Sequence, residues 1–564
     1  MAAEPRSQPE RSPEMGAGSA AGGKVARTEA PRTEAVHGLR VLAAIGIGML
    51  CWWLGHYLPY PEPSLLPLPT SSGGLLDYRT AAPRLLFVVG LTTSSWLLAA
   101  MPIAAASLLP LALLPMLGVR STADLTRGYG HPILWLFGGG FVLAQAVERC
   151  GLHRRMALNI VAKLGPYPRR LVLGFCLAAT LASMWVSNTA IALLLLPIGA
   201  VLVARTRELG ELDARSQANF GAAIMCAIAF GATIGGMGSP IGTAPNALFF
   251  SSYEPLVEQG ARPVSFLLWL LAFAPFAVLL SLLASQILAR VALPLPGRRF
   301  EKGDELLHEA RTLPRWTRAE RRTALLFGVA VLLWTTRGDL PLSEELVVRG
   351  WAHYLVPPGA SDRFLGDGSV AVLVAILAFL IPTGERREDG HKDRLCDWET
   401  ARRMPFDLLL LLGGGIAMAQ AFGPTGLSAA FGELLRPLIG SMHPVALILT
   451  LIVAVSLLSE VASNTAVATL ALPIVREGAL AAGLDPLVLM LPVVIGASCS
   501  FMLPISTPPN TIVFASRQIR FGQMARAGVG LNLLAALVLL PVLWFWALPL
   551  LGVDTAALLL RTAK

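Results

Sequence analysis

The run Ser183-Met-Trp-Val-Ser-Asn-Thr-Ala-Ile-Ala-Leu-Leu-Leu-Leu-Pro-Ile198 places a polar tripeptide, Ser187-Asn188-Thr189, inside an apolar segment. A second run, Ser459-Glu-Val-Ala-Ser-Asn-Thr-Ala-Val-Ala-Thr-Leu-Ala-Leu-Pro-Ile474, repeats the tripeptide as Ser463-Asn464-Thr465 and ends in the same Leu-Pro-Ile. Polar groups at membrane depth are costly unless they line a site or a cavity. The two copies therefore indicate one site built by two halves of a duplicated chain.

The composition is that of a polytopic membrane protein. The chain has 564 residues, of which 54% are hydrophobic and only 14% are charged, and its mean hydropathy is +0.63. Soluble domains carry about 25% charged residues, so we expect this chain to lie in the lipid bilayer. We interpret the net charge of +9 as basic cytoplasmic loops and not as a surface for nucleic acid. The cysteines form no CxxC pair, and we interpret them as reduced hydrophobic residues.

The N-terminal segment 1–38 has no apolar periodicity and is rich in Ala, Pro, Glu, Ser, Gly and Arg, so we predict a disordered tail. The first transmembrane helix and its external loop occupy 39–84. Basic residues precede this helix. The positive-inside rule therefore predicts a cytoplasmic N-terminus in a multi-pass protein of the cell membrane.

The segment 171–203 is predicted to enter the membrane and to return on the same side. Each arm beside the tripeptide has about 15 residues, or roughly 22 Å of helix, which reaches the midplane of a core about 30 Å thick but crosses it poorly. A basic loop follows at 291–322. That loop would lie outside if 171–203 crossed, whereas a re-entrant hairpin keeps it in the cytoplasm, as the positive-inside rule prefers.

The predicted alternation of cytoplasmic and external loops continues through the rest of the chain. Residues 85–290 form a first repeat and 323–550 a second, separated by the cytoplasmic linker 291–322 and followed by a C-terminal tail at 551–564. The second repeat contains a second hairpin, 443–480, that enters from the opposite side. We therefore predict an all-α polytopic membrane protein with about eleven transmembrane helices and two re-entrant hairpins, arranged as an inverted repeat.

Matched motifs at nearly fixed offsets support the duplication. Gly138-Gly-Gly140 pairs with Gly413-Gly-Gly415 at an offset of 275 residues, and the two Ser-Asn-Thr motifs differ by 276. Gly242-Thr-Ala-Pro-Asn246 pairs with Ser506-Thr-Pro-Pro-Asn510 at an offset of 264. Matched motifs in the same order indicate an internal repeat, and opposite entry sides make that repeat inverted.

The last two motifs each interrupt a long apolar run, because proline removes a helical donor and clashes with the preceding turn. The freed carbonyls can coordinate a cation, and the half-helix N-termini can face an anion. The alternative is a proline kink that serves packing. That alternative explains one motif well, but it does not explain two copies that each follow a Ser-Asn-Thr hairpin.

The hairpin tips offer hydroxyls, an amide and exposed backbone, without a fixed charge. Such groups suit a carboxylate held by neutral donors, with cations balancing its charge. Helix capping is an alternative role, since Ser, Asn and Thr all cap well. Glu460 lies in the second hairpin where the first has Met184, and both a functional role and a local structural pairing stay open for it.

The chain resembles the divalent anion:sodium symporter family, which includes sodium-dicarboxylate and sodium-citrate carriers. The resemblance covers residues 85–550. It rests on the tripeptides, the triple glycines and three further motifs, which are Trp96-x5-Pro102-x-Ala104-Ala105, Gly151-Leu-His-Arg-Arg155 and Phe501-Met-Leu-Pro-x-x-Thr-Pro-Pro-Asn510. It implies eleven spans, two hairpins, a scaffold and a transport domain, and a homodimer that works by an elevator motion.

The resemblance also implies the ligand sets. One sodium site would use Ser183, Ser187, Asn188 and Gly242, and the other would use Ser459, Ala462, Asn464 and Ser506. The substrate would contact the two tips and one further threonine, which are Ser187, Asn188, Thr189, Ser463, Asn464, Thr465 and Thr507. The family often has Ala at the position of Ser506 and Pro at that of Ala244, and the first departure changes little if coordination is through the backbone carbonyl.

These features predict a secondary active transporter of di- or tricarboxylates, of the succinate, malate, fumarate and citrate class, with sodium ions co-transported. Sodium-independent dicarboxylate exchange and sulfate transport are the alternatives within the fold. An anion channel is the alternative from another class, and it would show current without saturation or coupling. No Walker A motif and no G-x-S-x-G motif occurs, so the sequence does not favour an enzyme.

Overall fold

Long apolar runs fold as helices in a bilayer, because a helix satisfies its own backbone hydrogen bonds. The computed structural model describes residues 26–60, 65–67, 75–303, 312–341, 347–357, 364–386 and 390–561. Helices dominate this part of the chain, so the predicted all-α class is confirmed. Residues 1–25 of the predicted tail lie outside the described residues.

The first half contains twelve α-helices among its described residues. They are α1 (Ala26–Gly55), α2 (Tyr78–Leu97), α3 (Ile103–Ala106), α4 (Leu109–Met116), α5 (Thr122–Tyr129), α6 (Pro132–Arg149), α7 (Leu152–Leu164), α8 (Pro168–Ser183), α9 (Asn188–Leu209), α10 (Ala214–Met237), α11 (Ala244–Glu258) and α12 (Phe266–Gln286). A π-helical turn at Ile287–Ala292 extends α12.

The second half repeats this order. Its helices are α13 (Arg318–Thr335), α14 (Asp367–Leu380), α15 (Trp398–Ala401), α16 (Phe406–Phe422), α17 (Leu427–Ser441), α18 (Pro444–Val461), α19 (Asn464–Ala481), α20 (Leu487–Ala497), α21 (Pro508–Ala515), α22 (Phe521–Val542) and a terminal α23 (Thr555–Arg561). A π-helical turn at Leu543–Ala547 and one α-helical turn at Leu548–Leu550 continue α22, and a 3₁₀ turn spans Trp351–Tyr354.

Three short antiparallel ribbons lie in the connections, where the sequence analysis predicted none. They are β1 (Leu65–Pro67) with β2 (Leu75–Asp77), β3 (Leu340–Pro341) with β4 (Val347–Val348), and β5 (Pro382–Arg386) with β6 (Lys392–Arg394). Arg149 of α6 holds the last ribbon through an ion pair of 3.0 Å with Asp393.

Length and composition give fewer spans than the predicted eleven. Seven of the described helices are long and apolar enough to cross a membrane, or eight if α16 and α17, which meet at 78°, form one span. Two of the seven, α9 and α18, are hairpin arms in the geometry below. Shorter apolar helices such as α14 are not counted, because they have fewer than 18 residues. The count of eleven therefore stays a prediction.

Two element boundaries differ from the predicted ones. The first helix begins at Ala26, inside the segment 1–38 that was predicted to be disordered, because Ala, Arg and Glu are good helix formers and extend it before the apolar run. The apolar run 103–118 forms two short helices, α3 and α4, and not one continuous helix, since Pro110 lacks the N–H that a helix continuing from α3 would need.

The helix α10 lies in the core of the molecule. Every residue from Phe220 to Met237 is buried. Glycines let the arm α8 approach closely, because a Cβ on Gly231 would lie 2.5 Å from the carbonyl oxygen of Cys176 and one on Gly235 would overlap the carbonyl of Thr180. The other arm, α9, packs on α10 in the opposite direction, since Gly199 faces residues 224–228.

The helices α8 and α9 form a helical hairpin that contains the predicted segment 171–203, and its re-entry into the membrane stays a prediction. Both outer ends of its arms bind the same segment, 294–303. Arg169 donates to the carbonyl of Leu295 at 2.8 Å, and Arg298 donates to the carbonyl of Glu211 at 2.8 Å. The inner ends meet at α10, where Ser183 lies against Gly235 and Asn188 against Gly236. The two outer ends of the hairpin therefore lie on the same side of the molecule.

The second hairpin, predicted at 443–480, is formed by α18 and α19. The arm α18 runs beside α20, with Ile452 against Gly496 and Ser456 bonded to the carbonyl of Cys499 at 2.5 Å. The arm α19 joins α20 through a turn in which Leu484 N donates to Ala479 O at 2.8 Å. Its outer end, like that of α18, lies at α17, because Gly478 contacts Ile439.

The two hairpins open in opposite directions. At the start of α10, Gln217 bonds to the carbonyl of Val203 at 3.0 Å, beside the open end of the first hairpin. Beyond the break at 238–243, α11 reaches the open end of the second hairpin, where Arg476 donates to the carbonyl of Ser252 at 2.7 Å. Because one broken helix passes both open ends, the repeat is inverted, as the sequence predicts.

Candidate functional site

The first tip is the break between α8 and α9. The helix α8 ends at Ser183 and α9 begins at Asn188. Ser187 is the N-cap of α9, and its Oγ accepts a hydrogen bond of 3.3 Å from the N–H of Ala190. The capping role considered from the sequence is therefore real for Ser187. Thr189 is half-buried in the first turn of α9.

The amide of Asn188 is fixed through its oxygen. Its Oδ1 accepts a hydrogen bond of 2.7 Å from the hydroxyl of Ser183, which is fully buried. Gly236 of α10 lies against the same amide, since a Cβ at that position would come within 2.9 Å of Oδ1 and 3.0 Å of Nδ2. The Nδ2 group of Asn188 makes no hydrogen bond within the described residues, so it is free to meet a ligand.

The break between α10 and α11 lies directly beside this tip. Asn246 closes the loop by donating to the carbonyls of Gly236 at 3.0 Å and Ser239 at 2.7 Å. Gly242 packs so tightly that a Cβ would lie 2.5 Å from the carbonyl oxygen of Gly236. Ser239 donates to the carbonyl of Met184. The first predicted sodium set, Ser183, Ser187, Asn188 and Gly242, is thus brought together at one tip.

The second tip is the break between α18 and α19. Ser463 occupies the N-cap position, but it is exposed and its side chain makes no capping bond. The Oδ1 of Asn464 accepts a hydrogen bond of 3.0 Å from Ser500, and its Nδ2 makes none within the described residues. Ser459 is fully buried, with an Oγ that has no hydrogen-bond partner in the described part of the chain.

The break between α20 and α21 completes the second tip. Asn510 donates to the carbonyl of Leu503 and to Ser506 Oγ, both at 3.0 Å. Thr507 caps α21, accepting from the N–H of Asn510 at 3.3 Å. Of the other predicted residues, Ala462 and Thr465 are half-buried beside Asn464. The bond to Leu503 repeats the one from Asn246 to Ser239, at the same offset of 264.

The helix breaks beside the two tips contact each other. Met237 follows Gly236 at the first tip, and Cys499 precedes Ser500 at the second. The sulfur atoms of Met237 and Cys499 are 3.9 Å apart. This contact joins the break after α10 to the loop after α20, and the described hydrogen bonds that hold Asn188 and Asn464 come from neutral groups.

Glu460 has a structural environment. It is 3% exposed, and its carboxylate accepts hydrogen bonds from the backbone N–H groups of Phe501, Met502 and Leu503 and from the side chain of Asn532. The local pairing considered from the sequence is therefore present. Such a carboxylate holds the loop 498–507 against the second hairpin.

Sequence reasoning assigned no role to Asn246, Asn510, Ser500 and Asn532. The two asparagines end matched proline motifs, so the shared offset was a signal for them. No sequence pattern pointed to Ser500 or Asn532. Ser500 corresponds to Gly236 in the first half, and the contact of Asn532 with Glu460 joins residues 72 apart in the chain.

The fold and the two matched tips are those of a membrane protein built from an inverted repeat. The chain belongs to the divalent anion:sodium symporter family, since the family model described as "Sodium:sulfate symporter transmembrane region" matches residues 65–553. The predicted resemblance is confirmed.

Similar curated proteins carry one name. The sodium-dependent dicarboxylate transporter SdcS of Staphylococcus saprophyticus is 35% identical over 474 residues, covering 83% of this chain and 87% of its own length. SdcS of Staphylococcus aureus is 34% identical over 462 residues, covering 81% and 85%. Among solved structures, the Alcanivorax borkumensis YdaH transporter matches with a TM-score of 0.52 and 14% identity, covering 91% of this chain and 97% of its own. That likeness concerns the fold alone.

Proposed function

We propose that this protein is a secondary active transporter that carries a di- or tricarboxylate together with sodium ions. The observation that carries the proposal is the state of the two asparagines. Asn188 and Asn464 each have an oxygen held by a serine hydroxyl and an NH2 group without a partner in the described residues. Such amides can donate to a carboxylate while their oxygens face a cation.

Sodium would bind at each tip as a transported ion. The first set is Ser183, Ser187, Asn188 and Gly242, and the second is Ser459, Ala462, Asn464 and Ser506. The hydroxyl of Ser459, which has no hydrogen-bond partner among the described residues, supports the second set, because a buried acceptor without a hydrogen bond gains most from a cation. The two tripeptides and Thr507 would bind the substrate. The dicarboxylate named in both SdcS relatives supports this class.

The two halves occupy different surroundings, which supports alternating access. At the first tip, Trp185 packs on Phe266 and Phe327, with ring centroids 6.3 and 5.1 Å away. Its counterpart at the second tip, Val461, is 71% exposed. Inverted repeats can exchange such environments. An elevator motion would give the second tip, against the symmetry-related part of the protein, the packed surroundings that the first tip has in this state.

Organisation in the membrane completes the proposal. Residues 85–290 and 323–550 would be the two repeats, with a cytoplasmic N-terminus supported by the basic residues before the first apolar run. A homodimer is supported by the family resemblance, and the mass of the purified protein in nanodiscs would test it.

The decisive experiment is uptake into proteoliposomes. Labelled succinate should accumulate with an inward sodium gradient, and accumulation should fall when choline replaces sodium. Equal uptake in sodium and choline, stimulated by internal succinate, would favour exchange. Competition by sulfate but not by succinate or citrate would favour the sulfate alternative. Current without saturation would favour a channel.

A further inference from the structure

Glu460 is a buried acid beside the second tip that the transport proposal leaves unused. It lies one residue after Ser459 and is 3% exposed. Its Oε1 is 2.7 Å from the N–H of Phe501 and 2.8 Å from the side-chain amide of Asn532, and its Oε2 is 3.0 Å from the N–H of Leu503. A buried carboxylate is tolerated when several donors surround it. Here most of those donors belong to one loop.

The hydrogen bond from the N–H of Phe501 to Glu460 fixes the direction of the peptide group between Ser500 and Phe501. The N–H of Phe501 shares a trans peptide plane with the carbonyl of Ser500, and the two groups of such a plane point in opposite directions. The Ser500 carbonyl therefore points away from Glu460. It faces Ser506, whose Oγ is 3.4 Å from it.

Ser500 thus joins Glu460 to the proposed second sodium site. Its hydroxyl donates to Asn464 Oδ1 at 3.0 Å, while its carbonyl faces Ser506. Both of these partners belong to the second sodium set. A displacement of the loop 498–507 would move both contacts together.

The first half does not contain this arrangement. Met184 stands at the position of Glu460, and Gly236 stands at that of Ser500. Asn188 is held by Ser183 from within its own hairpin at 2.7 Å. Any dependence on a buried acid is therefore confined to the second tip.

We propose that Glu460 is a positioning residue for the second sodium site and acts through Ser500. This inference rests on the proposed sodium coupling. The carboxylate does not touch the ion; it holds the loop whose serine orients Asn464. The second sodium therefore depends on Glu460, and the first does not.

The test compares Glu460→Gln, Ser500→Ala and the double variant with the wild type. The matched control is Glu433→Gln, an exposed glutamate whose side chain is 53% accessible. Two quantities are measured, the sodium dependence of succinate uptake and the thermal shift that sodium produces in detergent. Glutamine keeps the size of the side chain but turns an NH2 group toward donors, so it should displace the loop.

We expect Glu460→Gln to raise the half-saturating sodium concentration about 10-fold, which corresponds to the loss of one charge-assisted hydrogen bond. We also expect it to lower the Hill slope toward one. Ser500→Ala should change the same parameters in the same direction. The double variant should be no worse than Glu460→Gln, because residues that act in one chain are not additive. Asn532→Ala should give a smaller change of the same kind.

Opposite results are easily distinguished. A lower melting temperature without sodium, combined with an unchanged sodium shift, would overturn the inference and leave Glu460 a structural residue. Additive effects in the double variant would overturn the route through Ser500. If Glu460→Gln does not fold, Ser500→Ala and Asn532→Ala decide by the same criteria. A wild type without any sodium response would overturn the proposed function itself, and this inference with it.

Discussion

The side-chain oxygen of Asn464 accepts its hydrogen bond from Ser500, 3.0 Å away in the loop of a broken helix. The equivalent oxygen of Asn188 accepts from Ser183, 2.7 Å away in its own hairpin. The two halves therefore present the same amide in the same way with different neighbours. Both halves share an NH2 group that makes no hydrogen bond within the described residues.

The two asparagines should be indispensable for substrate binding. Asn188→Asp keeps the shape and the oxygen, but it removes both donors and adds a charge that repels a carboxylate. We expect it to lose substrate binding and to retain part of the sodium response. Asn188→Ala should lose both, and the loss of a charge-assisted bond costs about 1.5–3 kcal/mol, or roughly 10- to 150-fold in affinity.

Asn464 should behave alike in the corresponding variants. The measurements are labelled uptake and sodium-dependent thermal stabilisation for all four proteins. Near-normal uptake by either Ala variant would show that its tip is a capping turn and not part of a binding site.

Gly242 should tolerate no side chain. A Cβ would lie 2.5 Å from the carbonyl oxygen of Gly236, which is backbone and cannot rotate away. We expect Gly242→Ala to destabilise the protein by about 1–3 kcal/mol, the usual range for overpacking, and to reduce uptake. Gly440→Ala is the control, because nothing lies within 4 Å of a Cβ there. Equal melting temperatures of the two variants would contradict the contact.

The open ends of the first hairpin should be accessible from the same side of the membrane. Arg170→Cys and Arg205→Cys lie near the outer ends of α8 and α9, which both adjoin 294–303. We expect an impermeant thiol reagent to label both from the cytoplasm, and Ser441→Cys, at the second hairpin, from outside. Labelling of positions 170 and 205 from opposite sides would refute the re-entrant geometry in a bilayer.

Alternating access predicts an exchange of contacts between the repeats. Ile241 lies 3.6 Å from a Cβ placed on Gly140. The offsets make Ile505, which is 76% exposed, and Gly415 the equivalent pair. We expect both double-cysteine pairs to cross-link in membranes and each cross-link to stop transport, with single-cysteine variants as controls. A 415–505 pair that never cross-links would argue against the exchange.

The ion pair between Arg155 of α7 and Glu320 should make stability depend on pH. The two side chains are 7% exposed and 2.7 Å apart, and Glu320 lies in the first turn of α13. Burial alone would raise the pKa of Glu320, but hydrogen bonds from Arg155 and Thr317 lower it below the ordinary 4.5. Because the folded-state pKa is lowered, the stabilisation is complete above pH 4.5 and is lost as the pH falls further.

We expect Arg155→Ala to lower stability by about 3–5 kcal/mol at neutral pH, since it leaves a buried charge unpaired. The deficit should shrink in acid, where Glu320 becomes protonated. Thermal unfolding in detergent across this range measures it, with Arg155→Met/Glu320→Leu as the control that removes both charges. A deficit that does not change with pH would mean that Arg155 acts through packing alone.

The sequence was informative where the two halves match. Equal offsets located both tips and both helix breaks, and the distribution of basic loops identified the first hairpin. The sequence did not predict the contacts at positions where the two halves differ. Ser500 replaces a glycine, and its role depends on a loop position that only the folded chain brings to Asn464. The helix start at Ala26 was missed because the extension has helix-forming residues but no apolar periodicity.

The complete enclosure of α10 has a consequence for biosynthesis. This helix leaves the ribosome with the first hairpin, but α21, which completes its surroundings, follows about 270 residues later in a chain that is made from its N-terminus. A nascent chain that ends before Cys499 has one finished tip and a second one that lacks the break between α20 and α21. The polar groups of the finished tip are then in the membrane without the second-half residues that pack beside them in the folded protein. Late truncations should therefore fail as unassembled intermediates and not as half-active carriers.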